Sequence, residues 1–308
     1  MKALIKKMFG FAGYKLERLQ QFEKDCFRGY LTFGPYKIKC HNASQIKCYA
    51  SVPSSNKYLG RLALVIQTHN PESPQIGIID VGANCGDTAA LMRSQTNLPI
   101  LCIEGDSKLY SLLQQNMRQC SDITIVHSYI GEATGPLSVK IEKEGWNNTL
   151  VPSETAGSVI QICRLDDLSN PWLSRRRIGL LKIDTEGFDV SILFGAKKLL
   201  ETSKPVIAFE YNRDGMDAIS ESGLRVFPYL KNLDYESLMI YDNYGRFIMA
   251  TTVQNLQLLK ELHRFIERPK RGIHYFDMVA FPKAGAVLFQ KFRDAEIAND
   301  QDRNGEAC

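Results

Sequence analysis

The chain has 308 residues, 44% apolar and 23% charged, a globular balance that excludes a disordered or collagen-like polypeptide. Lys plus Arg number 38 and Asp plus Glu 34, a net charge of +4. The whole excess lies in residues 1–20, where Lys2, Lys6, Lys7, Lys15 and Arg18 stand against Glu17 alone. The rest of the chain is neutral, without the basic excess that a phosphate-reading surface usually shows, so no nucleic-acid partner is expected.

Residues 1–20 read as a basic amphipathic helix interrupted by Gly10 and Gly13. Such a helix either caps the domain or makes weak contact with a membrane surface. The apolar run Met8–Tyr14 is short, ends at Lys15 and meets no cleavage signal, so it is not a signal peptide. No stretch approaches the ~20 apolar residues of a membrane span. Eight cysteines show neither a C-x-x-C pair nor zinc-ligand spacing, and Cys40–His41 is a bare adjacency. Scattered thiols suit a reducing, cytoplasmic location, peripheral to the membrane at most. The chain divides into an N-terminal helical cap region, 1–70, a main domain, 71–283, and a C-terminal helix and tail, 284–308.

From residue 76 short apolar runs alternate with helical segments. The runs Ile76–Val81, Leu98–Glu104, Ile123–His127, Ile178–Asp184 and Val206–Glu210 predict strands, with Val159–Cys163 as a short extra one. Continuously apolar strands indicate a sheet buried on both faces. Helices are predicted at Asp87–Arg93, Leu109–Met117 and Val190–Leu200. The fold class is therefore α/β, a doubly wound and mostly parallel sheet. Leu238–Tyr241 and Phe247–Ala250 flank Asp242-Asn243-Tyr244-Gly245 and predict a hairpin, and Tyr275–Phe281 a last strand. Residues 286–298 predict an exposed helix, with a frayed end beyond it.

The strongest local signal is Asp80-Val81-Gly82-Ala83-Asn84-Cys85-Gly86-Asp87. A strand ends in a glycine turn and a helix begins, which suits a ligand close to backbone N–H groups. It departs from the dinucleotide pattern G-x-G-x-x-G, because Asn84 and Asp87 replace the second and third glycines. A carboxylate at the helix start repels a pyrophosphate, so the loop favours a nucleoside without phosphates. Asp80, at the strand end, is alternatively placed to meet a cation. Glu104, 22 residues after Gly82, has the spacing of an acid that accepts hydrogen bonds from ribose hydroxyls.

These motifs resemble those of class I S-adenosylmethionine-dependent methyltransferases. Leu181-Lys182-Ile183-Asp184-Thr185-Glu186-Gly187-Phe188, followed by Leu193-Phe194-Gly195-Ala196 and preceded by Cys163-Arg164-Leu165-Asp166-Asp167-Leu168, resembles the FkbM family more particularly. The likeness spans about residues 76–283. It implies a Rossmann-like methyltransferase fold with an antiparallel strand near the C-terminal edge. It also implies S-adenosylmethionine as cofactor, and O-methylation of a hydroxyl on a sugar, glycolipid or secondary metabolite. Cofactor contacts are expected from Asp80, Gly82, Asn84, Gly86, Asp87, Glu104 and Ser128, with Tyr129 beside the adenine.

In an extended strand Lys182, Asp184 and Glu186 share one face. Charges on an otherwise apolar strand must pair or meet a cavity. Asp184 is the expected base, assisted by Glu186 or Glu210, which ends the fifth strand. A Lys182–Asp184 ion pair is the structural alternative. His127 ends the third strand as either a base or an edge histidine, and Trp146-Asn147-Asn148-Thr149 forms a polar loop near the acceptor. Arg175–Arg177 reads as a solvated run. No metal-ligand spacing is visible, although strand-end carboxylates can hold Mg²⁺ through water. The rival functions are methyl transfer to nitrogen, on nucleic acid or a small molecule, and a non-catalytic S-adenosylmethionine-binding module. The place of the Asp-Pro-Pro-Tyr-like segment of amine methylators is taken by Asp184-Thr185-Glu186-Gly187. A nicotinamide oxidoreductase is disfavoured by Asp87.

Overall fold

The computed structural model describes residues 26, 28–52, 56–70, 75–144, 147–153, 157–267 and 272–305. The basic segment 1–20 and Trp146 lie outside the described residues. The first strands among the described residues form a hairpin, β1 (Tyr30–Phe33) and β2 (Tyr36–Lys39), followed by α1 (Ala43–Ser51) and α2 (Lys57–His69). The N-terminal region is thus not purely helical as expected. Next come β3 (Ile76–Val81), α3 (Asp87–Arg93), β4 (Ile100–Glu104), α4 (Ser107–Met117) and β5 (Ile123–His127). Then follow β6 (Tyr129–Ile130), β7 (Gly135–Glu144), β8 (Asn147–Pro152), β9 (Ser158–Cys163) and α5 (Pro171–Ser174). The second half holds β10 (Arg177–Ile183), α6 (Asp189–Gly195), α7 (Lys197–Ser203), β11 (Val206–Tyr211), α8 (Arg213–Ala218) and α9 (Val226–Asn232). It ends with β12 (Tyr235–Asp242), β13 (Phe247–Thr252), α10 (Leu256–Phe265), β14 (Phe276–Pro282) and α11 (Ala286–Gly305).

Eight strands form the central sheet in the order β13-β12-β14-β11-β10-β3-β4-β5. Pairings from β11 through β5 are parallel, and β14 runs antiparallel between β11 and β12. β13 folds back on β12 as the expected hairpin. Every residue of β3, β4 and β11 is buried, because both faces of the sheet are covered. Ile79, Leu101, Leu181 and Ile207 point to one layer, with Val190, Leu193 and Leu230 of α6 and α9. Ile78, Ile100, Leu180 and Ala208 point to the other, with Leu62 of α2, Ala89 of α3 and Leu113 of α4. α2 therefore shares the core of the main sheet. Order reverses between β3 and β10, since the chain leaves β3 towards β4 and later returns to β10 on the other side. Ligands bind beyond the strand carboxyl ends at such a switch point.

A second sheet, β6-β9-β7-β8, lies after β5. It replaces the expected polar loop: Asn147–Pro152 pairs with β7 as a strand. The helix expected to be exposed also differs. Leu288, Phe292 and Glu296 of α11 are buried at helical spacing, and Glu296 forms an ion pair with Arg61 of α2, with Arg61 Nη2 donating at 2.7 Å. Phe292 is fully buried beside Phe281, ring centroids 6.1 Å apart. Phe292→Ala is expected to cost about 3–5 kcal/mol. Chemical denaturation measures this, and a loss below about 1 kcal/mol would show that α11 does not anchor the core. Among the described residues no helix is long and apolar enough to cross a membrane, and the seven cysteines form no disulfide.

Candidate active site

A cavity of ≈ 300 Å³ opens at the carboxyl ends of β3, β4, β10 and β11, within the range of small-molecule sites. Its floor is the turn after β3. Gly82 and Gly86 have φ of 74° and 88°, and Asn84 has 49°, the left-handed region that glycine and asparagine tolerate best. A Cβ on Gly82 would lie 2.0 Å from the Asp184 carbonyl oxygen. The glycine thus lets the β3 and β10 turns touch, in addition to freeing the backbone for a ligand. The Asp184 N–H donates to the Val81 carbonyl at 3.1 Å, locking the two turns together. Gly86 makes room for Met117 and Leu113 of α4.

Glu104 ends β4 and lines this floor. Its Oε2 accepts from the Asn84 N–H and its Oε1 from the Asp106 N–H, both at 2.8 Å. Burial raises its pKa, and these N–H groups of Asp106 and Asn84 oppose the rise. Asp87, at the start of α3, accepts from the Tyr49 hydroxyl at 2.7 Å. Burial raises its pKa too, with Tyr49 opposing. Tyr49 also accepts from Asn56 at 3.1 Å. α1 is therefore seated over the cofactor-type loop, and His41, Gln45, Cys48, Tyr49 and Asn56 join the wall. Tyr129 covers Gly105, where a Cβ would fall 2.1 Å from its ring.

The far wall is acidic. Asp184, Glu186 and Glu210 bring carboxylate oxygens within 4.8 Å of one another. Glu210, next to last in β11, lies opposite Asp277 of β14 in the antiparallel register. Burial drives the Glu210 pKa well up, and repulsion from Glu186 and Asp184 adds to it. Asp277 is raised by burial and then by Asp184. Asp189, 1% exposed, holds the arrangement. One oxygen accepts from the Thr185 N–H and hydroxyl, at 3.0 and 2.8 Å, and the other from the Glu210 N–H at 3.0 Å. Burial, then Asp184, raises its pKa to about 6. Lys182 is buried below, 2.9 Å from Asp80 and 3.5 Å from Asp184, and donates to the Gly82 carbonyl at 3.2 Å. Burial disfavours its ammonium, but Asp80 and Asp184 outweigh this and hold its pKa above the usual lysine value.

The family model "Methyltransferase FkbM domain" matches residues 80–237, from the end of β3 into β12. The chain belongs to the FkbM methyltransferase family. S-adenosylmethionine is the cofactor. An FkbM methyltransferase from Methylobacillus flagellatus KT is 20% identical, over 58% of this chain and 44% of that one, with a TM-score of 0.41. The match thus spans less than half the length of that protein. The plantazolicin methyltransferase BpumL, solved with a triazolic desmethylPZN analog and SAH, is 8% identical over 78% of this chain and 89% of that one, TM-score 0.42. Precorrin-6y C5,15-methyltransferase from Geobacter metallireducens GS-15 is 10% identical over 72% and 87%, TM-score 0.36. No curated protein matches.

The donor set of this FkbM member suits its cofactor. Carboxylates of Asp87, Glu104, Asp106, Asp184, Glu186, Glu210 and Asp277 line the pocket, against the Lys182 ammonium and the His41 imidazole. Such a wall attracts a cationic sulfonium and repels phosphate. Of the residues expected at the site, Gly82, Asn84, Asp87, Glu104, Ser128, Asp184, Glu186 and Glu210 all line it, as does Tyr129. Asp80 and Gly86 stand behind the wall. Asp80 is fully buried between Lys182 and the Thr88 hydroxyl, 2.8 Å away, so the cation it meets is a lysine. His127 is exposed and stacks on Tyr110, centroids 4.5 Å apart, while its Nε2 donates to the Gly105 carbonyl at 3.0 Å. It takes no part in the wall. In the arginine run, Arg176 covers the Trp172 ring at 4.9 Å and Arg177 donates to Asn70 at 3.3 Å.

Sequence reasoning missed Asp189, Tyr275, Asp277 and the α1 residues. An acid opening a helix directly after a strand-end turn was the available signal for Asp189. For Asp277 there was none, because it depends on the pairing of β14 with β11, which sets Asp277 opposite Glu210.

Proposed function

We propose that the chain transfers the methyl group of S-adenosylmethionine to a hydroxyl oxygen of a sugar, glycolipid or secondary metabolite. The reading rests on Asp184, a carboxylate that is 39% exposed at the edge of β10 and in the same wall as the Gly82 turn. It is in place to take a hydroxyl proton beside the cofactor. The bound cofactor supplies an electrophilic methyl on a cationic sulfur. Glu104 holds the ribose hydroxyls, with Asn84, Gly82 and Asp87 shaping the floor and Ser128 and Tyr129 flanking the base. Leu137, Leu150 and Ile162 of the second sheet give the acceptor an apolar wall. Alignment in such a pocket supplies up to about 7–11 kcal/mol, and a positioned base about 10²–10⁴-fold more.

The test is mass spectrometry of hydroxylated metabolites and glycans, incubated with S-adenosylmethionine and either the wild type or Asp184→Asn. The expected result is an added methyl group on oxygen, formed by the wild type at far the higher rate. Cofactor binding with methylation of amines only would replace oxygen by nitrogen as the acceptor. Binding with no turnover on any acceptor would leave a cofactor-binding module.

A further inference from the structure

We infer that Asp184, Glu186 and Glu210 form a site for one hard divalent cation. Three elements bring these residues together: the end of β10, the turn after it and the end of β11. Oxygen-only donors select hard cations over zinc or copper. A cluster of acids alone would not suffice, since acids often gather at surfaces. Here one member is different. Glu210 is 6% exposed, and its Oε1 is buried with no hydrogen-bond partner. Glu210 as a residue nevertheless lines the cavity. A buried carboxylate oxygen normally has a partner, because leaving it bare is costly. Its register partner across the sheet is Asp277, another acid, which deepens the local charge deficit.

Lys182 does not meet that deficit. Its ammonium is 2.9 Å from Asp80 and only 3.5 Å from Asp184, and it also donates to Gly82. Its charge is spent chiefly on Asp80. The triad oxygens lie within 4.8 Å of one another. Three carboxylate oxygens gathered this closely can ligate one hard cation together. The backbone supports the cage. Glu186 takes a φ of 54°, a cost for a non-glycine residue, and this conformation belongs to the turn that carries it to Asp184. Asp189 ties that turn to Glu210.

A cation here lies where the acceptor oxygen must approach, and it would lower the pKa of a bound hydroxyl. That use rests on the methyl-transfer reading, but the binding does not. The experiment is calorimetric titration of CaCl₂ into the chelator-treated full chain, without cofactor or acceptor. One site per chain is expected, with a Kd of about 10⁻⁶–10⁻³ M, and a matching rise in melting temperature. Glu210→Gln is expected to weaken binding at least about tenfold. If that variant does not fold, Glu186→Gln, which is only half-buried, carries the same test. No heat and no melting shift up to about 10 mM CaCl₂ would overturn the site. So would undiminished binding in both variants. Cofactor titration and turnover are measured separately, so a failed cation site and a failed methyltransferase reading give different results.

Discussion

Asp184→Asn is expected to lower turnover by about 10²–10⁴-fold while cofactor affinity stays within a few-fold. The substitution keeps the shape of the side chain and removes its capacity to take a proton. Asp184 is joined to the cofactor floor through its backbone, by the N–H to Val81 and by the contact of its carbonyl with Gly82. Neither involves the carboxylate, so the floor should survive. Lys182 keeps Asp80 at 2.9 Å and is not left as a bare buried charge, which would itself be destabilising. Melting and calorimetry on the variant check both points. A folded, cofactor-binding Asp184→Asn with near wild-type turnover would remove Asp184 as base. Glu210→Gln would then be the next comparison, because Glu210 shares the wall and burial raises the proton affinity of its carboxylate.

Local signals carried far in this chain. β3, α3 and β5 begin and end where the apolar runs and the helix-start acid placed them. The carboxyl-edge position of Asp184 followed from the same reasoning. What escaped was whatever depends on partners distant in sequence. The pairing of β8 with β7 turns an Asn-rich stretch that looks like a loop into a strand, since backbone pairing overrides weak propensity. Glu186 reached the site by a different route from the one its spacing suggested. Strand periodicity would place it on the face of Lys182 and Asp184, but β10 ends at Ile183 and a left-handed turn returns it instead. Asp80 was legible as an acid at a strand end, alternatively placed to meet a cation. Its lysine partner became evident only from the register that sets Lys182 opposite it.

Glu104→Gln is expected to weaken S-adenosylmethionine binding by about 10²–10⁴-fold, as two charge-assisted hydrogen bonds of about 1.5–3 kcal/mol each are lost or reversed. Both carboxylate oxygens already accept a backbone N–H, from Asn84 and Asp106. Each oxygen has a further lone pair for a ribose hydroxyl. Glutamine supplies one acceptor oxygen and one NH₂ group. Whichever way the amide turns, a donor faces a donor at Asn84 or at Asp106. The amide must swing away, leaving a buried N–H bare, or the turn must shift. Either outcome withdraws an acceptor from the ribose. Glu104→Asp tests the same geometry differently, since it keeps the charge and shortens the reach by one methylene. It should bind more tightly than Glu104→Gln and less tightly than the wild type. Calorimetric titration of the cofactor into all three proteins, with melting curves to confirm folding, measures the series. Equal affinity across the series would mean that Glu104 braces the two turns without touching the ribose, and the cofactor's hydroxyls would have to be sought at Asp106 instead.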